Sequence, residues 1–230
     1  MDIKFLGTGG VFDYELGNSA ALVSCNSTTF LVDCGPLVYP LLARRHLVGS
    51  VDFVLLTHLH GDHVGGLFQF ILHTNSQLQE NHKTVIAFPT VGFKAEIESF
   101  LRIWFPILEK YVEFCPLEQL AGVGALDTTG THIPGITTFA YYFFEESSLI
   151  YFSGDTGDPS IAANFVAGRH EQRIVIYHEM HHLKGSAHTY YLDLMDTLGD
   201  RVVYGYHCNG GKIPPENTIP LVERRPELLI

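Results

Sequence analysis

The sequence predicts an α/β sandwich, two β-sheets face to face with helices over both outer faces. Three observations predict it. Strand-like and helix-like segments alternate along both halves of the chain, without an internal repeat, a low-complexity tract or a linker. At 230 residues and 46% apolar composition, the chain has enough hydrophobic side chains for a full core in one domain spanning residues 1–230. The apolar run 51–56 passes directly into Thr57-His58-Leu59-His60-Gly61-Asp62-His63, as a buried strand does when it delivers polar side chains at its end.

Residues 3–6, 20–24 and 29–32 read as short strands separated by Gly and Asn turns, and 37–47 as a helix. Residues 51–56 form the next strand. A helix over about 64–73 begins with its N-terminus at the histidine cluster, and 84–88 is again a strand. A longer helix spans roughly 94–114, interrupted at Pro106. Its Phe100, Trp104, Phe105, Leu108 and Tyr111 make a wide aromatic-rich face that suits core packing or a homodimer interface. A turn-rich stretch runs through Thr131. Strands at 137–144, 149–153 and 173–177, a helix near 189–198 and a last strand at 202–206 complete the chain.

The segment after residue 56 carries the chemistry. It packs four metal-binding side chains, His58, His60, Asp62 and His63, into six residues. Residues two apart in an extended segment point the same way, so His58 and His60 converge on one ion, while Asp62 and His63, beyond the bend at Gly61, face a second. As plain loop residues, three imidazoles and a carboxylate would desolvate one another with no cation to organise them.

On these residues the chain resembles the metallo-β-lactamase-fold hydrolases, whose signature is His-x-His-x-Asp-His. Other segments resemble that family's motifs in order: Leu31-Val32-Asp33-Cys34-Gly35, then His132, Ser153-Gly154-Asp155-Thr156-Gly157, and Val203-Tyr204-Gly205-Tyr206-His207. The resemblance implies an αββα sandwich of two mixed sheets. It also implies two divalent ions, one held by His58, His60 and His132, the other by Asp62, His63 and His207, with Asp155 bridging. A nitrogen-and-oxygen donor set favours zinc and accepts manganese or iron. Two such ions share a water, lower its pKa and polarise an electrophile, so hydrolysis is the expected chemistry. Asp33 fits an orienting role toward a ligand imidazole.

Thr131-His132-Ile133-Pro134-Gly135-Ile136 has isoleucine where lactamases, glyoxalases and lactonases of the family have histidine, so the ligand is expected earlier, at His132. A histidine ahead of an aromatic strand, the opening Phe5-Leu6-Gly7-Thr8-Gly9 and the form Ser-Gly-Asp-Thr look more like the branch of RNase Z and small phosphodiesterases. That branch implies a carboxylate and a histidine near the scissile bond, and Tyr177-His178-Glu179-Met180 and Ala187-His188-Thr189 occupy the corresponding places. His188 is then the expected general acid, supported by Glu179, and Asp62 joins them in the catalytic set while also serving as a ligand. His178, His181 and His182 read as a histidine-rich loop, in contact with substrate or solvent.

The formal charge of −11 and the dispersal of 14 basic residues argue against a long nucleic acid as partner and for a small anionic phosphodiester, with cyclic nucleotides the leading class. Only 22 residues separate His132 from Asp155 and 51 separate Asp155 from His207, too few for the tRNA-holding arm of many RNase Z enzymes or the inserted domain of β-CASP nucleases. Acyl hydrolysis of a thioester, lactone or lactam is the alternative expectation, and RNase Z-like RNA processing the second. No apolar run is long enough for a membrane span, and the N-terminus carries no secretory pattern, so a cytoplasmic location is expected. Cys25, Cys34, Cys115 and Cys208 read as buried free thiols; Cys208, next to His207, suits either core packing or a place in the metal pocket.

Overall fold

The computed structural model describes residues 1–78, 82–185, 187–208 and 211–230. Its first sheet runs in sequence order through β1 (Asp2–Gly7), β2 (Ala20–Cys25), β3 (Thr28–Val32), β4 (Phe53–Leu55), β5 (Thr84–Phe88) and β6 (Val112–Pro116). The pairs β1/β2 and β2/β3 are antiparallel, and the remaining three are parallel. The second sheet has the order β11 (Val203–Tyr206), β10 (Arg173–Glu179), β9 (Ser148–Phe152), β8 (Phe139–Glu145) and β7 (Val123–Asp127). Strands β9, β10 and β11 are parallel there, and β7, β8 and β9 antiparallel. Both sheets are therefore mixed, as expected.

Strand alternation sorts the core into layers. Tyr141, Phe143, Ile150 and Phe152 project into the space between the sheets, where they join residues of β1 to β5. Their neighbours Ala140, Leu149 and Tyr151 point the other way, onto α5 (Ser160–Ala167) and α6 (Tyr191–Leu198). The first sheet is covered in the same manner by α1 (Val38–Arg44), α3 (Leu67–His73) and α4 (Val91–Arg102). Because both faces of the second sheet are buried, its strands read as nearly continuous apolar runs. Aromatic rings bridge the sheets: Phe5 lies 6.0 Å from Phe152, 5.3 Å from Tyr177 and 5.5 Å from Tyr206 between ring centroids.

Three expectations need correction. The long helix over 94–114 is α4 alone, which begins earlier, at Val91, where Thr90 Oγ1 accepts from Phe93 N, and ends at Arg102. Pro106 has no N–H with which to continue a helix, and residues 112–116 instead fill the open edge of β5, pairing Thr84 with Val112 through Phe88 with Pro116. The aromatic face divides accordingly: Phe105 and Leu108 are core residues, while Ile103, Trp104 and Ile107 are exposed. The helix expected over 64–73 breaks at Gly65-Gly66 into a single turn, α2 (Gly61–Val64), followed by α3. The turn-rich stretch contains β7, whose Gly124 leaves the space that the Tyr142 ring occupies; a Cβ there would sit 2.3 Å from it. Helix α5 was not expected.

All four cysteines are free, and Cys115 is only half-buried. Among the described residues no helix is long and apolar enough to cross a membrane.

Phe5→Ala removes a fully buried ring that touches both sheets, and we expect it to destabilise the fold by about 3–5 kcal/mol. Urea unfolding monitored by circular dichroism checks this, and a loss below about 1 kcal/mol would show that the two sheets do not depend on this contact.

Candidate metal and catalytic centre

The polar residues gather where strands of both sheets end. Asp33 follows β3, residues 57–63 follow β4, Asp155 follows β9, Glu179 closes β10 and His207 follows β11. These are carboxyl ends of parallel strands, where open α/β sheets leave a crevice. His132 comes from the β7–β8 connection and His188 from the loop before α6.

Among the described residues five overlapping groups could hold a metal ion, two of them including His188, and two of the five match the expected ligand sets. His58, His60 and His132 make the first, with His58 Nε2 3.0 Å from His60 Nδ1 and His60 Nδ1 3.2 Å from His132 Nε2. Asp62, His63 and His207 make the second, with both Nε2 atoms 3.5 Å from Asp62 Oδ2. Asp155 Oδ2 lies between the groups, 3.5 Å from His63 Nε2 and His207 Nε2 and 3.9 Å from His58 Nε2 and His132 Nε2.

The outer ring nitrogens are held so that the inner ones face this centre. His132 Nδ1 donates to the Ala187 carbonyl at 2.7 Å, which leaves its Nε2 lone pair inward. His63 Nδ1 is 2.7 Å from Asp33 Oδ2, and His58 Nδ1 is 3.0 Å from Thr57 Oγ1. Asp33 also accepts from Thr57 N and Thr57 Oγ1, each at 2.8 Å. Thr57 thereby joins the site, although no sequence pattern marks it. Asp33 and His207 adopt φ of 64° and 60°, left-handed conformations that turn each chain sharply as it leaves its strand. Gly35 lets that turn press close: a Cβ there would lie 2.0 Å from the Asp62 carbonyl oxygen.

The donor set fits divalent ions on two grounds. Buried His63 Nε2, His207 Nε2 and Asp155 Oδ1 have no hydrogen-bond partner, and such atoms are costly unless a ligand takes them up. The charge balance also calls for a cation. Burial opposes ionisation of Asp155, but the His207, His63 and His58 imidazoles outweigh it and hold the carboxyl well below the usual range. Burial likewise opposes a charge on His63, yet Asp155 and Asp33 raise its pKa well above the ordinary value, so the carboxylates around it favour a positive charge at this point, as a metal ion would supply. His58 is pushed well below the ordinary value by burial and by His63, which keeps its lone pair available.

Beside this centre, His188 Nδ1 is 3.3 Å from Glu179 Oε2 and 3.8 Å from Asp155 Oδ2. Burial disfavours its charged form, but the Glu179 carboxylate prevails and the pKa is pushed up to about 9. Glu179 is fully buried at the end of a strand, not in a turn, and its Oε1 accepts from Thr156 N at 3.2 Å and Thr189 N at 2.9 Å. It thus fixes both the turn after Asp155 and the loop carrying His188.

The expected histidine-rich loop separates into two environments. His178 is buried within β10, its Nδ1 donating to the Glu179 carbonyl, so it is a core residue. His181 and His182 line a cleft of about 630 Å³ together with His188, His207, Phe12 and Tyr14. Cys208 lines it too, and burial pushes its thiol pKa up, as it does for Cys34 away from the cleft. Phe12 and Tyr14 escaped the sequence reading, although two aromatics in a glycine-flanked turn are themselves a signal.

Comparison with known proteins places this geometry. The family model described as "Anti-Pycsar protein Apyc1" matches residues 1–207. The chain belongs to that family. A member from Paenibacillus sp. (strain J14) is 31% identical over 210 residues, covering 84% of this chain and 82% of the relative. Ribonuclease Z of Oceanobacillus iheyensis is 34% identical over 109 residues, 45% of this chain and 35% of that protein. Among solved structures, the metallo-β-lactamase-fold protein YhfI from Bacillus subtilis superposes with a TM-score of 0.69 at 20% identity, covering 90% of this chain and 85% of that one. The expected fold is therefore the observed one.

Asp33→Asn keeps the shape beside His63 but removes the charge, and we expect metal affinity to fall about 10- to 100-fold. Competition against a chromophoric chelator measures it; wild-type affinity would mean that Asp33 only shapes the turn.

Proposed function

We propose that this protein is a dinuclear metal-dependent phosphodiesterase acting on small phosphodiesters, with cyclic nucleotides as the leading class. The observation that carries the reading is the Glu179–His188 pair, set 3.8 Å from the carboxylate oxygen shared by the two ligand groups. A cleft of about 630 Å³ is of the size that takes a small molecule. The net charge of −11 disfavours a polyanion. The similarity to a ribonuclease Z over part of the chain supports phosphodiester chemistry.

In this reading His58, His60 and His132 would hold one ion and Asp62, His63 and His207 the other, with Asp155 placed to serve both. When bound, two divalent ions, zinc by donor type with manganese or iron as substitutes, supply Lewis acidity toward phosphoryl oxygens and bring water toward ionisation near neutral pH. The chain's own residues then manage the leaving group. Water oxygen bonds to phosphorus, giving up a proton to solvent, as the ester P–O bond breaks, and the departing sugar oxygen needs a proton. His188 supplies it, while Glu179 holds the ring through Nδ1 and compensates the imidazolium.

His188→Ala should keep its metal and lose about 10²- to 10⁴-fold in kcat on a cyclic nucleotide, whose leaving group is an alkoxide. The loss should be much smaller on bis-p-nitrophenyl phosphate, because nitrophenolate departs without a proton. Equal losses on the two substrates would remove His188 as the acid. Wild-type turnover of a thioester or lactone but of no phosphodiester, in a chelator-sensitive assay, would overturn the phosphodiesterase reading itself.

A further inference from the structure

One wall of the cleft is made by the β1–β2 connection, where Phe12 is 84% and Tyr14 77% exposed. Among the described residues these are the two most exposed aromatic side chains, and with Val11, itself 50% exposed, they make a contiguous apolar patch on the cleft wall, the kind of patch that marks a ligand-binding groove. The turn is well tied. Thr8 N donates to Leu16 O at 3.1 Å, Gly9 N to Gly17 O at 2.8 Å and Ser19 N to Gly9 O at 3.0 Å, which knit the stems. At the tip Asp13 N donates to Gly10 O, and Asp13 Oδ1 accepts from Leu16 N at 3.1 Å. With Asp13 engaged by the loop's own backbone, its two aromatic neighbours line the cleft on a tied main chain, so binding orders the two side chains and little backbone.

The loop also reaches the reacting centre. A Cβ on Gly10 would lie 3.6 Å from His207 Cε1, ordinary van der Waals distance. The rings are therefore carried on a segment that packs against a proposed metal ligand, and they share one cleft with His188 and His207, whose Nε2 lies 3.5 Å from Asp155 Oδ2.

We propose that Phe12 and Tyr14 form a base platform: a planar nucleobase stacks on these rings while its phosphodiester lies over Asp155 and His188. This inference rests on the phosphodiesterase reading and sharpens it, since it makes the substrate a phosphodiester that carries an aromatic base. Stacking uses the π-face that every base has, so the platform selects for the presence of a base rather than for its identity. The competing occupant of two exposed rings is the surface of a second copy of this chain.

The test compares a cyclic 3′,5′-nucleotide with the cyclic 3′,5′-phosphate of 1-O-methylribose, which has the same phosphodiester and no base, using metal-loaded wild type and Phe12→Ala/Tyr14→Ala. Wild type should favour the nucleotide in kcat/KM by roughly 5- to 150-fold, the range for base–aromatic stacking. The double variant should lose most of that preference, chiefly through KM, and Phe12→Tyr/Tyr14→Phe should keep it. Equal kcat/KM for the two substrates in wild type, or an unaltered preference in the double variant, overturns the platform alone. Conversion to a different oligomeric state on light scattering, with equal loss on both substrates, overturns it in favour of a subunit contact. No turnover of either substrate by wild type overturns the phosphodiesterase reading and this inference with it.

Discussion

The structure turns on one buried carboxylate. Asp155 Oδ2 has five imidazole nitrogens within 3.9 Å, from His58, His63, His132, His188 and His207. A carboxylate this deep is tolerable only when opposite charge or hydrogen-bond donors surround it. These neighbours come from several segments: the loop after β4 in the first sheet, the β7–β8 connection, the loop before α6 and the end of β11. Closing the sandwich and assembling the centre are consequently one event, because the loops meet only when the sheets stack with their parallel strands ending side by side.

Around that point lies a second set of contacts that leaves the inner atoms little freedom. Asp33 and Thr57 orient His63 and His58, the Ala187 carbonyl orients His132, and Glu179 binds the backbone of Thr156 and Thr189 while facing His188. Ala187 and Thr189 flank His188, so the same short loop fixes His132, a proposed ligand of the first group, and the proposed proton donor. Aromatic packing beneath, from Phe5 to Phe152, Tyr177 and Tyr206, supports the strand ends from which Asp155, Glu179 and His207 emerge.

Much of this was legible in the sequence because it is local. The run into His58-Leu59-His60-Gly61-Asp62-His63 encodes its geometry by spacing alone, and Asp155 and His207 stand directly after apolar strands. Elements decided by distant partners were harder to read. Residues 112–116 look compatible with helix until β5 offers an edge, and β7 is short, contains Gly124 and is recognisable only as the partner of β8. His178 and Glu179 are adjacent in sequence, yet the two-residue period of β10 sends one into the core and the other toward His188 at the candidate centre; a histidine-rich string gives no hint of that division. Thr156 and Thr189 fall inside recognisable motifs, but their contacts with Glu179, and those of Thr57 with Asp33, are long-range and no spacing announces them.

Membership in the Anti-Pycsar protein Apyc1 family and the metallo-β-lactamase fold supply the frame, and the chain's own residues supply the chemistry proposed within it. The central claim is that Asp155 makes the two ligand groups a single centre. Metal content after dialysis, measured by mass spectrometry on wild type and Asp155→Ala, tests it most directly. Wild type should retain two divalent ions per chain and the variant should lose both together while remaining folded. Retention of either ion at wild-type affinity in the folded variant would contradict the claim.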